Sequence, residues 1–351
     1  MKIHLLLELY LTLVVAEQHT SVSRELKIGI ANRGVLHNNL EKKVSLEDWF
    51  REVSNSKIFD YVDKTPSIEE FGEYSKFSEK YDLPILCSGW FYRLGKDDQL
   101  ILDNLDLGSK LGSKYHNVQI FNEHADGHKI TDNEIAETYM KVCEHGEKVG
   151  CLPCFEIHIN MWSEDFLRMN KIKNIIQRNG MTFRMTLDHS HVVFKIGNEE
   201  ELRLFDLENQ IASKKIILDP FEKGNISELW INDDIIWLMH ARSVIPNNPK
   251  NIMAKHPDGS YGRGVQYPFI KPNVGEYFED WDENKLEPWK EVVRKVIKYH
   301  YSVNSNLECI STEFIPATDY GEGNTYSLFN NAYGCAEWIR KEIKKTKEEV
   351  K

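Results

Sequence analysis

Short apolar and β-branched runs alternate with longer amphipathic stretches from residue 27 almost to the end of the chain. An apolar run flanked by turn residues is typical of a buried strand, and its alternation with helical periodicity indicates βα units and a parallel sheet. We predict eight strands, at residues 27–31, 59–62, 84–87, 117–121, 152–158, 182–188, 235–240 and 309–314. Eight successive βα units predict a (β/α)₈ TIM barrel.

Helix starts are marked between several of these strands. A small polar residue three positions before an acidic residue is typical of a helix N-terminus. The pattern occurs at Ser45 with Asp48, Ser67 with Glu70, and Thr131 with Glu134. Apolar residues at helical spacing predict further helices at residues 165–178, 199–212, 286–301 and 326–345.

The domain organisation follows from length and punctuation. A chain of 351 residues is compatible with one large barrel, and neither a repeat nor a low-complexity linker indicates a second unit. We predict one domain at residues 27–351 behind an N-terminal extension at residues 1–26. A long insertion at residues 244–282 follows the seventh strand, and loops at that face of a barrel commonly cover or complete a site.

Composition restricts the partners. The formal net charge of -11 would repel a phosphate backbone, and no basic groove offsets it, so we predict no nucleic-acid binding. Six scattered cysteines do not form the dense framework of a small disulfide-linked domain, and reduced thiols are expected. The pair Cys151 and Cys154 lacks a second pair downstream, which favours a structural role over zinc or redox chemistry.

The first sixteen residues resemble a short secretory segment, with Lys2 before an apolar run and Ala16 at a cleavage-type position. Glu8 interrupts the run, which is also too short to span a membrane. We therefore expect a cytoplasmic protein without membrane contact. Cleavage and secretion are the alternative.

Polar side chains end four of the predicted strands, and the carboxyl ends of barrel strands face the active site. The fifth strand ends with Glu156 and His158, which are two positions apart and therefore point to the same side. The seventh ends with His240 and Arg242 in the same arrangement, and the eighth ends with Glu313. Strands five, seven and eight thus bring ligand-type side chains to one face.

The sixth strand ends with Asp188, and His191 follows in the first loop residues. A lone acidic residue at a strand end more often pairs with an arginine or caps a helix, but four successive strands share this feature. Three carboxylates and a histidine suit Mn²⁺, Mg²⁺ or Co²⁺, and Zn²⁺ is also compatible. We predict a divalent-metal site formed by Glu156, Asp188, His240 and Glu313. The pattern leaves open whether His240 or His191 supplies the nitrogen.

These spacings, E-x-H, D-x-x-H, H-x-R and a final Glu on successive strands, resemble the xylose isomerase-like superfamily over residues 27–345. That superfamily includes sugar isomerases, ketose 3-epimerases, inosose dehydratases and the apurinic endonucleases of family 2. The resemblance implies metal ligation by the four residues above, with Glu156 and Glu313 doubling as acid and base. It also implies that His191 and Arg242 grip substrate oxygens.

Further residues are candidates for substrate contacts. His158 shares the face of Glu156, and Trp90, Phe91 and Trp162 near strand ends are of a type that stacks on sugar rings. The loop histidines His124 and His128 follow strand four.

His256, in the insertion, is a further candidate substrate contact and resembles a late histidine of the endonuclease branch. Ala254 stands where that branch has a second acidic residue. This departure and the negative charge argue against DNA repair.

The leading hypothesis is a metal-dependent isomerase or epimerase that acts on a sugar, polyol or related hydroxy-ketone by proton transfer next to a polarised carbonyl. A dehydratase or C-glycoside-cleaving lyase, with His158 or His191 as acid, is one alternative. A sugar-binding barrel without catalysis is another. The expected partner is a small carbohydrate-like molecule, and a homo-oligomer is compatible with the resemblance.

Overall fold

The computed structural model describes residues 24–31, 44–65, 67–264 and 266–350. Eight parallel strands close into a barrel, and an antiparallel hairpin lies between the seventh strand and the last. The strands in chain order are β1 (Lys27–Ala31), β2 (Tyr61–Asp63), β3 (Ile85–Tyr92), β4 (Tyr115–Ile120), β5 (Leu152–Glu156), β6 (Met185–Leu187), β7 (Ile236–Ala241), the hairpin strands β8 (Asn251–Lys255) and β9 (Tyr261–Gly262), and β10 (Cys309–Thr312). Pairing of β1 with β10 closes the barrel. The predicted TIM barrel is confirmed, and the signal-like residues 1–16 lie outside the described residues.

The helices occupy the outside of the barrel between the strands. They are α1 (Leu46–Ser56), α2 (Phe71–Lys80), α3 (Asp98–Leu111), α4 (Asp132–Val149), α5 (Phe166–Arg178), α6 (Ser190–Val193), α7 (Glu199–Leu202), α8 (Leu207–Ala212), α9 (Ile226–Asn232), α10 (Glu287–Val303) and α11 (Leu328–Val350). None of these described helices is both long and apolar enough to cross a membrane.

Two of the predicted helix caps form as expected. The Ser45 side chain accepts a hydrogen bond from the Asp48 backbone, and Thr131 with Glu134 forms a complete capping box. Ser67 and Glu70 form the same reciprocal bonds one turn before α2 begins.

The helix predicted at residues 199–212 is wrong as a single element. It divides into α7 and α8, because Phe205 and Asp206 adopt φ values of 54° and 57° between them. Two successive left-handed residues interrupt the helical hydrogen-bond ladder.

The interior of the barrel is layered. Its lower layer is apolar and consists of Tyr61, Cys87, Tyr115, Cys154, Leu238 and Cys309. Strand side chains alternate between two faces, so the next inward residue lies two positions further along each strand. Those next positions are polar on several strands, with Asp63, Asn117, Glu156, His240 and Ser311. The barrel interior therefore changes from apolar side chains to polar side chains within one layer. All six cysteines are free and buried.

Gly29 on β1 leaves room for the lower layer. A Cβ atom at this position would lie 2.2 Å from the Tyr61 ring. The Tyr61 hydroxyl is 2.8 Å from Ser311 Oγ, which donates to Asp63 Oδ2 at 2.6 Å. The absent side chain thus allows a hydrogen-bonded chain to reach from the packed layer to the polar one.

We expect Gly29→Ala to lower the free energy of unfolding by about 1–3 kcal/mol, because the methyl group would displace a fully buried ring. Urea unfolding monitored by circular dichroism measures the change. Gly72→Ala is the matched control, since Gly72 is exposed on α2 and nothing lies within 4 Å of its added Cβ. That control is expected to gain up to about 1 kcal/mol. Equal stability of Gly29→Ala and the wild type would contradict the packing argument.

Candidate metal centre

A cavity of about 360 Å³ opens at the carboxyl ends of the barrel strands. One part of its wall is apolar and is formed by Trp90, Phe91, Phe121, Met161 and Ile315. Another part is polar and is formed by Asp63, His158, His240, Arg242 and Glu313. A cavity with this division suits a small ligand that has an apolar face and several oxygen atoms.

Four side chains of the predicted set converge beside this cavity. Each of Glu156, Asp188, His240 and Glu313 offers one ligand atom, and these atoms lie within 4.8 Å of one another. Glu156 and His240 lie at the ends of β5 and β7, the two strands that flank β6, and Asp188 and Glu313 directly follow β6 and β10. The structure therefore brings together the four residues that the strand-end pattern singled out.

Two of the carboxylates are held by one oxygen while the other is directed to the centre. Asn117 and Gln119 both donate side-chain amide hydrogen bonds to Glu156 Oε2. Ser190 donates its backbone N–H, at 3.0 Å, and its hydroxyl, at 2.5 Å, to Asp188 Oδ1. Supporting bonds of this kind fix the orientation of metal ligands.

His240 lies between the carboxylates. Its Nδ1 atom is 3.0 Å from Glu156 Oε1 and 3.1 Å from Glu313 Oε2, and its Nε2 atom is 3.4 Å from Asp63 Oδ2. Burial disfavours the charged imidazole, but the charges of Glu313 and Glu156 outweigh burial and raise the pKa of His240 well above its usual value. Because its Nδ1 atom is close to both Glu156 and Glu313, His240 rather than His191 directs a nitrogen to the middle of the cluster.

Arg242 neutralises part of the negative charge. Its Nη2 atom is 2.6 Å from Glu313 Oε2 and 3.1 Å from Asp188 Oδ2, and the guanidinium carbon lies 4.0 Å from the centre of the Tyr320 ring. Burial alone would raise the pKa of Glu313, but the charges of Arg242 and His240 hold it well below its usual value. Glu313 is thus an ionised carboxylate at the wall of the cavity.

His158 and His191 form a neutral pair below Tyr320. Their ring centres are 4.1 Å apart. Burial is the main cause that lowers the pKa of His158 to about 4 and the pKa of His191 well below its usual value. His158 Nδ1 donates to the Ile159 carbonyl at 2.6 Å, so its Nε2 accepts from the Tyr320 hydroxyl at 2.7 Å. His191 Nε2 is 3.2 Å from Asp188 Oδ2.

Two predicted substrate contacts lie elsewhere. Trp162 is 1% exposed and packs in the core between the barrel and its helices. His256 is in the turn of the β8–β9 hairpin, with Nε2 3.3 Å from Asp319 Oδ1. Neither side chain lines the cavity. By contrast, Trp90 and Phe91 do line it, because β3 continues to Tyr92 and carries both rings to the barrel mouth.

The sequence analysis does not predict a role in the site for four of its residues: Asp63, Asn117, Gln119 and Tyr320. The alternation of Asn117 and Gln119 along the fourth strand was a usable signal, since both point into the barrel. Asp63 was missed because the second strand was predicted to end at Val62, one residue too early. Tyr320 ends a short 3₁₀ helix (Thr318–Tyr320) after β10, where no periodicity marks it.

The insertion at residues 244–282 supports the loop that carries Tyr320. Asn251 Nδ2 donates to the carbonyls of Thr318 and Glu322, and the Arg263 backbone donates to Asp319. Among the described residues that line the cavity, none belongs to the insertion. The described part of the insertion therefore contributes to the site through the loop that it supports, and its role as a cover stays a prediction.

The donor set fits a divalent cation. Two buried atoms of the cluster, Asp188 Oδ2 and His240 Nε2, make no hydrogen bond, although Arg242 Nη2 and Asp63 Oδ2 lie near them. The three carboxylates of the cluster outnumber its two cationic groups, Arg242 and protonated His240, so a metal ion would offset the remaining negative charge. Glu156, Asp188, His240 and Glu313 could hold a metal ion, and oxygen-rich sets of this kind suit Mg²⁺ or Mn²⁺.

Comparisons with known proteins agree on the fold. No protein-family model matches the sequence, and no curated protein is significantly similar to it. D-allulose 3-epimerase from Methylomonas sp. is 10% identical in sequence and superposes with a TM-score of 0.55. The superposition covers 92% of this chain and 100% of that chain. The 3-keto-D-glucoside 4-epimerase from E. coli is 11% identical, with a TM-score of 0.50 over 90% and 100% of the two chains.

A xylose isomerase-like TIM barrel protein from Mycobacterium smegmatis, solved in complex with magnesium, is also 11% identical. Its TM-score is 0.50, covering 93% of this chain and 98% of that chain. At such identities the similarity establishes the fold alone. The chain has the fold of the xylose isomerase-like TIM barrels.

Proposed function

We propose that the protein is a metal-dependent isomerase or epimerase acting on a sugar, polyol or related hydroxy-ketone. The observation that carries the proposal is the convergence of three carboxylates and a histidine, each at the carboxyl end of a different barrel strand, beside a cavity that His240 and Glu313 line. Structural neighbours that are themselves sugar epimerases support the substrate class. The neighbour solved with magnesium supports a hard divalent ion.

The four residues of the cluster would have two roles, metal binding and proton transfer. A divalent ion held by Glu156, Asp188, His240 and Glu313 would supply positive charge that acidifies a C–H bond next to a carbonyl. Glu313, an ionised carboxylate at the cavity wall, is placed to take that proton, and Glu156 is the second acid–base group.

The remaining contacts position the substrate. Arg242 and His158 line the polar wall of the cavity, where His158 Nε2 would exchange its hydrogen bond from Tyr320 for one from a substrate hydroxyl. The stacked rings of Trp90 and Phe91, whose centres are 4.8 Å apart, cover the apolar face of a sugar. His191 Nε2 lies 3.2 Å from Asp188 Oδ2, and His191 does not line the cavity.

Proton transfer is tested by incubating the protein and Mn²⁺ with a panel of ketoses and polyols in D₂O. An isomerase or epimerase incorporates one deuterium at the reacting carbon and otherwise conserves the mass of the substrate. Loss of a water molecule or of an aglycone would instead identify a dehydratase or lyase. Binding of a sugar without any exchange would favour a barrel that has no catalytic activity.

Metal binding is tested with Asp188→Asn. Removal of a ligand charge is expected to weaken Mn²⁺ binding by more than about tenfold, since loss of even a supporting residue typically weakens metal sites by 10–100-fold. Mass spectrometry of the purified proteins gives the metal content, and calorimetry gives the affinity. Asp106→Asn is the control, because Asp106 is a partly exposed carboxylate that pairs with His145 away from the cluster. Equal affinities of wild type and Asp188→Asn would exclude the proposed ligand set.

A further inference from the structure

A second group of metal-type side chains lies in the loop between β4 and α4. His124, Asp126 and His128 each offer a ligand atom, and these atoms lie within 4.8 Å of one another. None of the three lines the cavity, although Phe121 at the start of the same loop does. The metal-centre residues and the proposed reaction therefore leave this group without a role.

The loop is a tight antiparallel turn that brings the two histidines face to face. Glu123 bridges to Lys129, and the His124 backbone donates to the His128 carbonyl at 2.9 Å. Gly127 closes the turn with a φ of 93°, a conformation that favours glycine. The two imidazole rings stack with their centres 4.5 Å apart.

The His124 ring is held in place from below. Gly95 lies against it, and a Cβ atom on Gly95 would come within 2.3 Å of His124 Cε1. The His124 ring therefore packs against the backbone of Gly95, and this contact restricts the orientation of the ring. Pre-arranged ligands of this kind lose little conformational entropy on binding an ion.

Asp126 joins the facing atoms of the group. The Asp126 backbone donates to His124 Nδ1 at 3.3 Å, which makes that nitrogen an acceptor. The same nitrogen lies 3.0 Å from the acceptor Asp126 Oδ1, while His128 Nδ1 donates to that oxygen at 2.5 Å. A cation bound between these atoms would replace the His128 proton. It would also offset the repulsion between the two acceptors, His124 Nδ1 and Asp126 Oδ1.

A supporting carboxylate orients the His128 ring. Glu134 Oε1 lies 3.0 Å from His128 Nε2 and accepts its proton, which leaves Nδ1 as the atom that would bind an ion in place of its hydrogen bond to Asp126. Glu134 is fixed in turn by the backbone and hydroxyl of Thr131, at 2.8 Å and 2.7 Å. A carboxylate behind a histidine is the usual arrangement around protein-bound zinc.

We propose that His124, Asp126 and His128 form a second metal site, which takes a divalent transition ion of the zinc class. Two imidazoles and one carboxylate favour Zn²⁺, Ni²⁺ or Cu²⁺ over Mg²⁺. Around a tetrahedral Zn²⁺ the donor atoms are about 3.3 Å apart, so each contact needs to widen by less than ~1 Å. Asp126 and His128 have side chains 63% and 42% exposed, which leaves room for that movement and for water as a further ligand.

A bound ion would fasten the two arms of the loop to each other. The loop begins at Phe121, whose backbone bridges to Met161 and whose ring contacts Phe91, and all three line the cavity. An ion bound at this site would thus stabilise one part of the cavity wall. It does not depend on the reaction proposed for the barrel centre.

The test is a titration of the metal-stripped full-length protein with Zn²⁺ against a chromophoric chelator. It is carried out on the Asp188→Asn background, so that the outcome does not depend on the central site. We expect one strong equivalent of Zn²⁺, which His128→Gln weakens by more than tenfold. Glu134→Gln keeps an oxygen for the helix cap and is expected to weaken binding by about 10-fold or more.

His145→Gln is the matched control, since His145 also pairs with an aspartate, Asp106, at 2.7 Å, but no third ligand-type side chain joins them among the described residues. It is expected to leave Zn²⁺ binding unchanged. The proposal is overturned if His128→Gln binds Zn²⁺ as tightly as its parent, or if His145→Gln weakens binding to the same extent. Circular dichroism of each variant verifies that the fold is retained.

Discussion

Replacing Glu313 with glutamine is expected to lower kcat/KM by about 10²- to 10⁴-fold on any substrate that exchanges deuterium in the D₂O assay. The change removes the proposed base and one negative ligand from the group that surrounds His240 Nδ1. It also leaves Arg242 with Asp188 as its remaining carboxylate partner. The measurement is the rate of deuterium incorporation at saturating Mn²⁺.

Glu308→Gln is the control for Glu313→Gln. Glu308 immediately precedes the same strand, β10, and pairs with Lys27 and Lys114 at the opposite end of the barrel. Its replacement is expected to change stability but not the exchange rate. Full activity of Glu313→Gln would remove Glu313 from the proposed chemistry and leave the metal-binding test with Asp188→Asn as an independent result.

Replacing Lys195 with methionine is expected to lower the free energy of unfolding by about 3–5 kcal/mol. The Lys195 side chain is fully buried, and its Nζ atom is 2.8 Å from Glu164 and 2.7 Å from Glu201. Arg263, from the insertion, contacts the same two carboxylates. Methionine fills a similar volume but leaves two buried negative charges with a single cation.

Guanidinium unfolding of Lys195→Met and of Lys250→Met measures this effect. Lys250 pairs with Glu200 at 2.5 Å on the surface, where an ion pair contributes only about 0–1 kcal/mol. A loss of less than 1 kcal/mol in Lys195→Met would show that the buried network contributes no more than this surface pair.

The same network makes stability depend on pH. Burial alone would raise the pKa of Glu164, but the charge of Lys195 and the hydrogen bonds from Arg263 outweigh it and lower the pKa to about 2. A carboxylate whose pKa is lower in the folded state contributes stability above its unfolded value, near 4.5. That contribution is expected to disappear between pH 4.5 and pH 2, and to be smaller in Lys195→Met.

Much of the candidate site could be predicted because its ligands obey a local rule. Glu156 lies two positions beyond Cys154, and His240 lies two positions beyond Leu238, so each ligand follows a residue of the apolar layer on its own strand. Alternation along a strand is a property of the backbone and does not depend on the partner strands. The eight apolar runs made the barrel predictable for the same reason.

The precise ends of the strands were less predictable. The second and third strands extend beyond their predicted ends, to Asp63 and Tyr92, while the fifth and sixth stop earlier than predicted. Hydrogen bonding to a neighbouring strand decides where a strand ends, as in the six-residue pairing of β3 with β4. A polar pair such as Ser88 and Gly89 looks like a break in the sequence but lies within a continuous ladder.

By itself, the sequence determined the number of strands, the class of fold and the identity of the four ligand-type residues, because periodicity and strand ends are local features. Only the tertiary structure decided which histidine faces the carboxylates, that Arg242 joins Asp188 to Glu313, and that the insertion supports Tyr320 instead of lining the cavity. These relations join residues that are tens of positions apart in the chain. They arise from barrel closure and side-chain packing, which place distant strand ends within a few ångströms of one another.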